Sequence, residues 1–444
     1  MALVHKDSSP CAIQQLDLFQ TLPTCSQIKE AGYVPYYSIN PLDSATNVIE
    51  FAMQGSGNLF IDLARTELLL TCKIKDGNED LKDRSLVAPV ANAIASFFSQ
   101  CDVFLNNKLV TSANSLYPYQ AYLSTLLTYG RDTADKQLTL QMFYPDTAGK
   151  FDEVNNNAGF VKRKSLIDKS KTFQICGPLY TDVTSQPCAL LNSVDLRIRL
   201  TRSSNGFALM AFDTAPNAAN PEQLSAANAK VVIESAVLKV WMMTLTDEAQ
   251  LGIEKVLHQR NAVYNLQRTE LKSFTISGGD SEFTREHISL GLSPKYAYVV
   301  MVDTEAQQGH RTRNPFDFKH YKLKQMSLNI DGKQVPANGI NTDYANGKYA
   351  EAYKSVLDTC GKWRTDDPFM IDYSDYQLGY NIYGFKIAPE VVPGAFNLVR
   401  NSNIRLDLKF AERLEKNVTV IVLFVYDATL EINGNREVFY DFSS

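Results

Sequence analysis

Apolar and polar residues alternate along much of this chain. In VDLRIRL, Val194, Leu196, Ile198 and Leu200 fall on one face and Asp195, Arg197 and Arg199 on the other. That is the period of a half-buried strand. VVIESAVLKVWMMTL, at 231–245, is apolar enough for a central strand. Patterns of this kind predict strands over 46–54, 59–75, 96–105, 108–113, 172–177, 194–202, 206–212 and 231–245, and a last one in VTVIVLFVYDATLEI, which ends at Ile432. The period lengthens in three places. Tyr119, Tyr122, Leu123, Leu126 and Leu127 share a helical face, and so do Tyr349, Tyr353, Val356, Leu357 and Cys360. TDEAQLGIEKVLHQR, at 246–260, is a third helix.

The two helical faces belong to a longer echo. CDVFLNNKLV ahead of the first and MSLNIDGKQV ahead of the second both read as hairpins, with Asn-Asn and Asp-Gly at the turns. Pro118 suits a first helical turn, and Gly130 and Gly361 are placed to cap the helix ends. Phe51 and Gly55 match Phe274 and Gly278. Phe173-Gln174-Ile175 answers Phe385-Lys386-Ile387, and Asn192-Ser193 ahead of VDLRIRL answers Asn401-Ser402 ahead of NIRLDLKF. Each match is short, but all run in the same order, which makes an internal duplication the reading. Eight antiparallel strands per half give an all-β chain of two consecutive eight-stranded jelly-roll β-sandwiches, with short helices in loops. The expected organisation is an N-terminal arm at 1–45, a first jelly roll at 46–250 and a second at 251–444, with 246–260 as the linker helix. The arm is read from missing periodicity and from Pro10, Pro23, Pro35 and Pro41. The polar loops 130–171 and 203–230 are expected to project from one end of the first sandwich.

Composition narrows the classes. The 444 residues are 45% apolar and 21% charged, enough for two domains. With 44 basic and 49 acidic residues the net charge is −5, which excludes a dedicated nucleic-acid binder. Cys11, Cys25, Cys72, Cys101, Cys176, Cys188 and Cys360 form no Cys-x-x-Cys pair. Several lie in strand-like runs as buried thiols, which favours a reducing compartment during folding. The first residues lack the apolar stretch of a signal peptide. The longest apolar run, Val418 to Tyr426, is too short to cross a bilayer, so no transmembrane segment is expected.

FIDLARTELLLTCKIKDG and, above all, VAPVANAIASFFSQCDVFLNNKLVTSANSLYPYQAYLSTLLTYG resemble the major capsid proteins of Polinton (Maverick) elements and adintoviruses. The shared pattern is a short apolar segment, a Phe-Ser-Gln strand, a Leu-Asn-Gly-Lys-Leu-Val-like hairpin and a Tyr-Pro-Tyr helix ending in Gly. This chain departs at Asn107, where Gly is frequent, and at Ala91, where Asn is usual. Asn tolerates the left-handed conformation that such a turn requires. The close match covers 87–130 and 59–76; elsewhere the likeness is one of layout. The resemblance implies a double jelly-roll, hexon-like capsid protein. Its homotrimers would form pseudo-hexameric capsomers that tile an icosahedral shell around double-stranded DNA. The implied partners are neighbouring capsomers, a single jelly-roll penton protein and minor capsid proteins, with at most non-specific genome contact. The implied location is the virion capsid, made and assembled inside the host cell, in cytoplasm or nucleus. An arm would sit at the inner base of the capsomer.

Such a protein needs no chemistry, and no catalytic, cofactor-binding or metal-binding residue is assigned. His310 and His320, with Asp317 between them, fit no recurrent ligand spacing. Asp366, Asp367, Asp372 and Asp375 in DDPFMIDYSDY offer carboxylates to a glycosidase, but beside Pro and Tyr they read as turn chemistry. Lys162, Arg163 and Lys164, with Lys169 and Lys171, form the one basic cluster. It is read as a solvated loop, with DNA contact, nuclear import or contact with a neighbouring capsomer as other roles. Two alternatives stand beside the capsid reading: a β-sandwich carbohydrate-binding or hydrolytic protein, and a domesticated intracellular scaffold of the same fold.

Overall fold

The computed structural model describes the chain except for residues 1–6, 8–13, 17, 20, 44–45, 83–84, 113, 213–227, 389–393 and 441–444. Most of loop 203–230 therefore lies outside the described residues. Each half contributes eight principal strands in two sheets. In the first half Ile28–Tyr37, Ala229–Leu245, Leu59–Asp76 and Phe173–Pro178 are neighbours in that order. Val48–Met53, Leu196–Arg202, Phe98–Leu105 and Lys108–Leu109 form the other sheet. In the second half the corresponding orders are Ala262–Ile276, Val418–Ile432, Tyr296–Asp303, Ile382–Lys386 and Glu282–Leu292, Asn401–Phe410, Leu323–Ile330, Lys333–Asn341. Counting strands along each half, both read first-eighth-third-sixth and second-seventh-fourth-fifth. The expected double jelly roll is the fold.

The alternation explains the layers. Val194, Leu196, Ile198 and Leu200 are fully buried, while Asp195 and Arg199 face out. Each such aliphatic side chain contributes about 1.5–3 kcal/mol on burial. Both hairpins end in two left-handed residues, Asn106 and Asn107 (φ 45° and 65°) and Asp331 and Gly332 (φ 50° and 84°). The duplication extends to their hydrogen bonds. Asn106 N–H donates to Asp195 O (2.9 Å) and its side-chain oxygen accepts from Asp195 N–H (2.7 Å). Asp331 N–H donates to Asn403 O (3.1 Å) and its carboxylate accepts from Asn403 N–H (2.9 Å). The same pair of bonds ties each turn to the seventh strand of its half.

Several expectations need correction. The arm does not reach residue 45, because Ile28–Tyr37 is an edge strand of the first sheet, paired from Ile28 with Leu245 to Tyr37 with Val237. Its periodicity is weak because an edge strand has little to bury, and Pro35 is tolerated there. Phe274 is not the counterpart of Phe51: Phe51 lies in the second strand of its half and Phe274 in the first. The predicted strand 206–212 is a helical turn, Asn205–Ala208, then Leu209–Ala211, which pairs with Val87–Pro89 in a separate small sheet. Gly361 caps its helix with φ 75°, but Gly130 is extended. Gly130 is required for another reason, since a Cβ there would lie 2.4 Å from Pro368 Cβ in the other half. Loop 130–171 does not project. It folds into Arg131–Asp135, Gln137–Gln141 and Ala158–Ile167 and packs between the halves.

The halves lend each other core residues. Tyr264, Leu266, Leu430, Ile432, Val438 and Tyr440 bury with the first sandwich. Tyr119, Tyr122, Leu126, Phe143, Phe151 and Phe160 bury with the second. The linker helix, Asp247–Leu257, is held by Arg436, which donates to Glu254 (2.5 Å) and to both oxygens of Asn192 (2.9 and 2.8 Å).

Candidate assembly surfaces

The basic cluster is the first place where structure and sequence part. Arg163 is not solvated; it is fully buried. It lies on helix Ala158–Ile167, whose first turn is capped by the Asn157 side chain accepting from Phe160 N–H (3.3 Å). Arg163 donates to Pro89 O (2.7 Å), to Tyr144 O and to Asp146 (2.6 Å). Asp146 also accepts from Asn157 (2.8 Å) and, across the junction, from Asn314 (2.9 Å), while Tyr380 O–H donates to its carbonyl (2.7 Å). A buried ion pair is tolerable only when its remaining bonding capacity is filled, as it is here. Lys162 stays outside, over the Tyr144 ring at 5.8 Å, and Lys169 and Lys171 are exposed. The cluster therefore divides into a structural arginine and scattered surface lysines.

The junction also takes up two of the four candidate carboxylates, Asp372 and Asp375. Arg131 pairs with Asp372 (2.7 Å) and Asp375 (3.2 Å). Asp317 pairs with Lys319 at 2.9 Å, and Asp152 lies 3.6 Å from the same ammonium. Asp152, Asp317 and Lys319 border a cavity of about 630 Å³ between the 147–153 segment and the second sandwich. Burial pushes Asp317 up to about 7, against the pull of Lys319. Burial also pushes His320 down to about 4, and its ring stacks on Tyr344 at 4.0 Å. His310 Nδ1 instead accepts from Thr312 N–H (3.3 Å). Among the described residues no three His, Cys, Asp or Glu side chains are grouped to hold a metal.

What the surface offers is contact area. Of 23 large apolar side chains exposed among the described residues, nine fall between Leu16 and Ile39. Leu16, Leu18, Phe19 and Leu22 are 70–94% exposed. At the start of the edge strand, below the linker helix, lies a groove of about 680 Å³ lined by Gln27, Leu191, Leu245, Ile253, Val256 and Val263, among others. It continues into a smaller apolar pocket of about 270 Å³ that reaches Phe60 and Cys188. Sequence reading missed Arg163, the edge strand and this groove. The helical spacing of Phe160, Arg163 and Ile167 was the available signal for Arg163, because it places the charge on the buried face. No helix among the described residues is long and apolar enough to cross a membrane.

The fold defines the class: this is a double jelly-roll chain. Among solved structures it is similar over its whole length to a chain of the Sputnik virophage, with 95% of that chain covered, a TM-score of 0.66 and 13% identity. It is also similar to the mavirus major capsid protein (99% of this chain, 97% of that one, TM-score 0.53, 13% identity) and to a chain of the PBCV-1 virus capsid (96% and 100%, TM-score 0.57, 8% identity). Among curated proteins, an uncharacterized Caenorhabditis elegans protein is 25% identical over 409 residues, 88% of this chain and 93% of that protein. No protein-family model matches.

Proposed function

We propose that this chain is a structural major capsid protein of the Polinton and adintovirus kind and has no enzymatic role. Three copies form a pseudo-hexameric capsomer, and capsomers tile an icosahedral shell around double-stranded DNA. Partners are neighbouring capsomers, a penton and minor capsid proteins; the location is the virion capsid, assembled inside the host cell. The observation that carries this reading is the identical strand order of the two halves. A chain with two like sandwiches presents six like units from three copies, which suits hexagonal packing. Light scattering at micromolar concentration should give three times the chain mass, and electron microscopy should show closed shells or hexagonal arrays. A stable monomer overturns the capsomer reading.

A second reading is a domesticated scaffold that keeps the fold and the trimer without the shell. It is favoured by the relative in an animal, Caenorhabditis elegans. The same microscopy separates the two, since a scaffold gives trimers and no shells under any assembly condition.

A further inference from the structure

We propose that the segment 147–153 of the first half is a proton-controlled latch, seated on the second sandwich while the Asp317 carboxyl is neutral and lifted when that carboxyl ionises. The device lies within one chain and does not depend on how copies associate.

The topology places the latch. Asp303 pairs with Val418 and Val300 with Ile382, so the loops 304–322, 342–381 and 411–417 gather at one end of the second sandwich. The cavity of about 630 Å³ lies among them, and Gly149, Phe151, Asp152 and Glu153 form its wall from the first half. Three contacts seat that wall. Gly149 N–H donates to Leu378 O (2.6 Å), Asn314 N–H donates to Asp152 (2.7 Å), and the buried Phe151 ring meets Tyr380 edge-on at 5.0 Å. Asp317 sits under the same wall. A Cβ on Gly379 would lie 2.3 Å from the Phe151 ring and 2.7 Å from Asp317 Oδ1, so ring and carboxyl press on one glycine. Lifting the segment takes the ring away and lets water reach the carboxyl.

The charges give the latch its sensitivity. Lys319 is one cation for two carboxylates, 2.9 Å from Asp317 and 3.6 Å from Asp152. With Asp317 neutral, the ammonium serves Asp152 and holds the segment down. With Asp317 ionised, two carboxylates compete for it, and Asp152 is repelled. The neighbouring charges are otherwise engaged. Asp303 pairs with Arg313, Asp146 with Arg163, Glu153 with Lys150 and Lys322 with Glu412, while Arg413, Glu415 and Lys416 are exposed at the rim. Burial holds Tyr321 above its ordinary range and His320 down to about 4, so neither gains charge between about pH 5 and 8.

The sign follows from linkage. Seated, Asp317 is pushed up to about 7 by burial; released into water, it returns to about 4. Below pH ~4 both states carry the proton. From ~4 to ~7 only the seated state keeps it, so opening rises up to about tenfold per pH unit, about a thousandfold in all, and levels off above ~7. Acid therefore closes the latch.

Hydrogen–deuterium exchange of the full chain, corrected for intrinsic exchange rates, tests this through peptides covering 147–153 and 311–319. Protection there should fall at least about tenfold from about pH 5 to about pH 7.5, while the strand Leu196–Arg202 of the first half stays unchanged. Asp317→Asn should keep both peptides protected across the range. Lys319→Gln removes the cation that favours the ionised carboxyl, so its fall should continue above pH 7 instead of levelling off. A flat wild-type profile overturns the latch, and so does the same pH dependence in Asp317→Asn. If Asp317→Asn fails to fold, Lys319→Gln decides, and a fall that levels off at the wild-type pH overturns the proposal. A loss shared equally by Leu196–Arg202 is global loosening and overturns it too.

Discussion

Helices Tyr117–Thr128 and Ala350–Thr359 follow the same hairpin and precede the same strand in their respective halves, yet they do different work. The second covers its own sheet. A Cβ on Gly384 of the sixth strand would lie 2.6 Å from Ser355 O and from Thr359 Oγ1, so strand and helix meet directly. Only Ala352, Val356 and Thr359 of that helix are buried. The first helix does not hold this position. In its half the glycine on the sixth strand, Gly177, faces Gln141 of the short helical turn Gln137–Gln141. The displaced helix buries eight residues and drives Tyr119 and Tyr122 against Phe316 and Phe318 of the other half, with Tyr122 stacked on Phe316 at 4.1 Å. One helix thus closes its own sandwich, while the other joins the two sandwiches. In the first half the segment 131–170 occupies the place that the helix holds in the second.

The difference can be broken most forcefully at Arg163. Arg163→Ala leaves the Asp146 carboxylate buried without its cation and should cost about 3–5 kcal/mol. Chemical denaturation would show it, and a loss below 1 kcal/mol would mean that the insertion is not the joint described here. Tyr122→Ala should cost a similar ~3–5 kcal/mol, because a fully buried ring leaves a cavity between the halves. At the matched position Tyr353 is only half-buried, though its O–H donates to Ile371 O (2.9 Å). Tyr353→Ala should therefore cost about 1–2 kcal/mol. Equal losses from the two tyrosines would remove the asymmetry.

Asp182 sharpens the contrast by pH. It is buried at the junction and accepts from Thr269 N–H of the second half (3.0 Å). Burial pushes its carboxyl up to about 6. Below pH ~4 both folded and unfolded states carry the proton. Between ~4 and 6 the unfolded carboxyl ionises first, so the folded state holds more protons and stability falls as pH rises. The loss reaches about 3 kcal/mol above pH 6. Asp182→Asn should match the wild type near pH 4 and exceed it at pH 8. Parallel stability curves for the two proteins from pH 4 to 8 would show that Asp182 is not held in its neutral form.

The physics of alternation explains what could be read in advance. Strands with one wet and one dry face, such as Leu196–Arg202, announce themselves, and the hairpins and helices between them gave away the duplication. Where a segment's environment is set by the other half, the local pattern is silent or misleading. Lys162, Arg163 and Lys164 look like a solvated run because nothing in the neighbouring sequence shows that Asp146 and Asn314 lie above the middle one. Gly130 looked like a helix cap because its constraint, Pro368, is far away in the chain. Ile28–Tyr37 has one hydrogen-bonded neighbour and few buried side chains, so it carries too little periodicity to be seen. The apolar groove below the linker helix joins residues from 27, 191 and 245–263 and has no local signature at all.

The smallest effects are expected where the halves remain most alike, at the hairpin turns. Asn107 and Gly332 both sit in the left-handed region, and a Cβ at Gly332 meets nothing within 4 Å. Exchanging them, Asn107→Gly and Gly332→Asn, sets relief of left-handed strain against the greater freedom that glycine gives the unfolded chain. These terms oppose each other, so each change should stay within about 1 kcal/mol. The preceding residue behaves differently. Asn106→Ala keeps the left-handed backbone without a side chain able to stabilise it, which alone costs about 1–2 kcal/mol. It also removes the acceptor for Asp195 N–H and the donor to Arg436 O (2.7 Å). Asp331→Ala loses the equivalent bond to Asn403 N–H but no link to the linker helix or the C-terminal turn. Thermal denaturation of the four variants should therefore rank Asn106→Ala as the most destabilising and Asp331→Ala next, with the two exchanges close to wild type. If Asp331→Ala proves as costly as Asn106→Ala, the turn bonds matter equally in both halves, and the tie from Asn106 to Arg436 contributes nothing to holding the halves together.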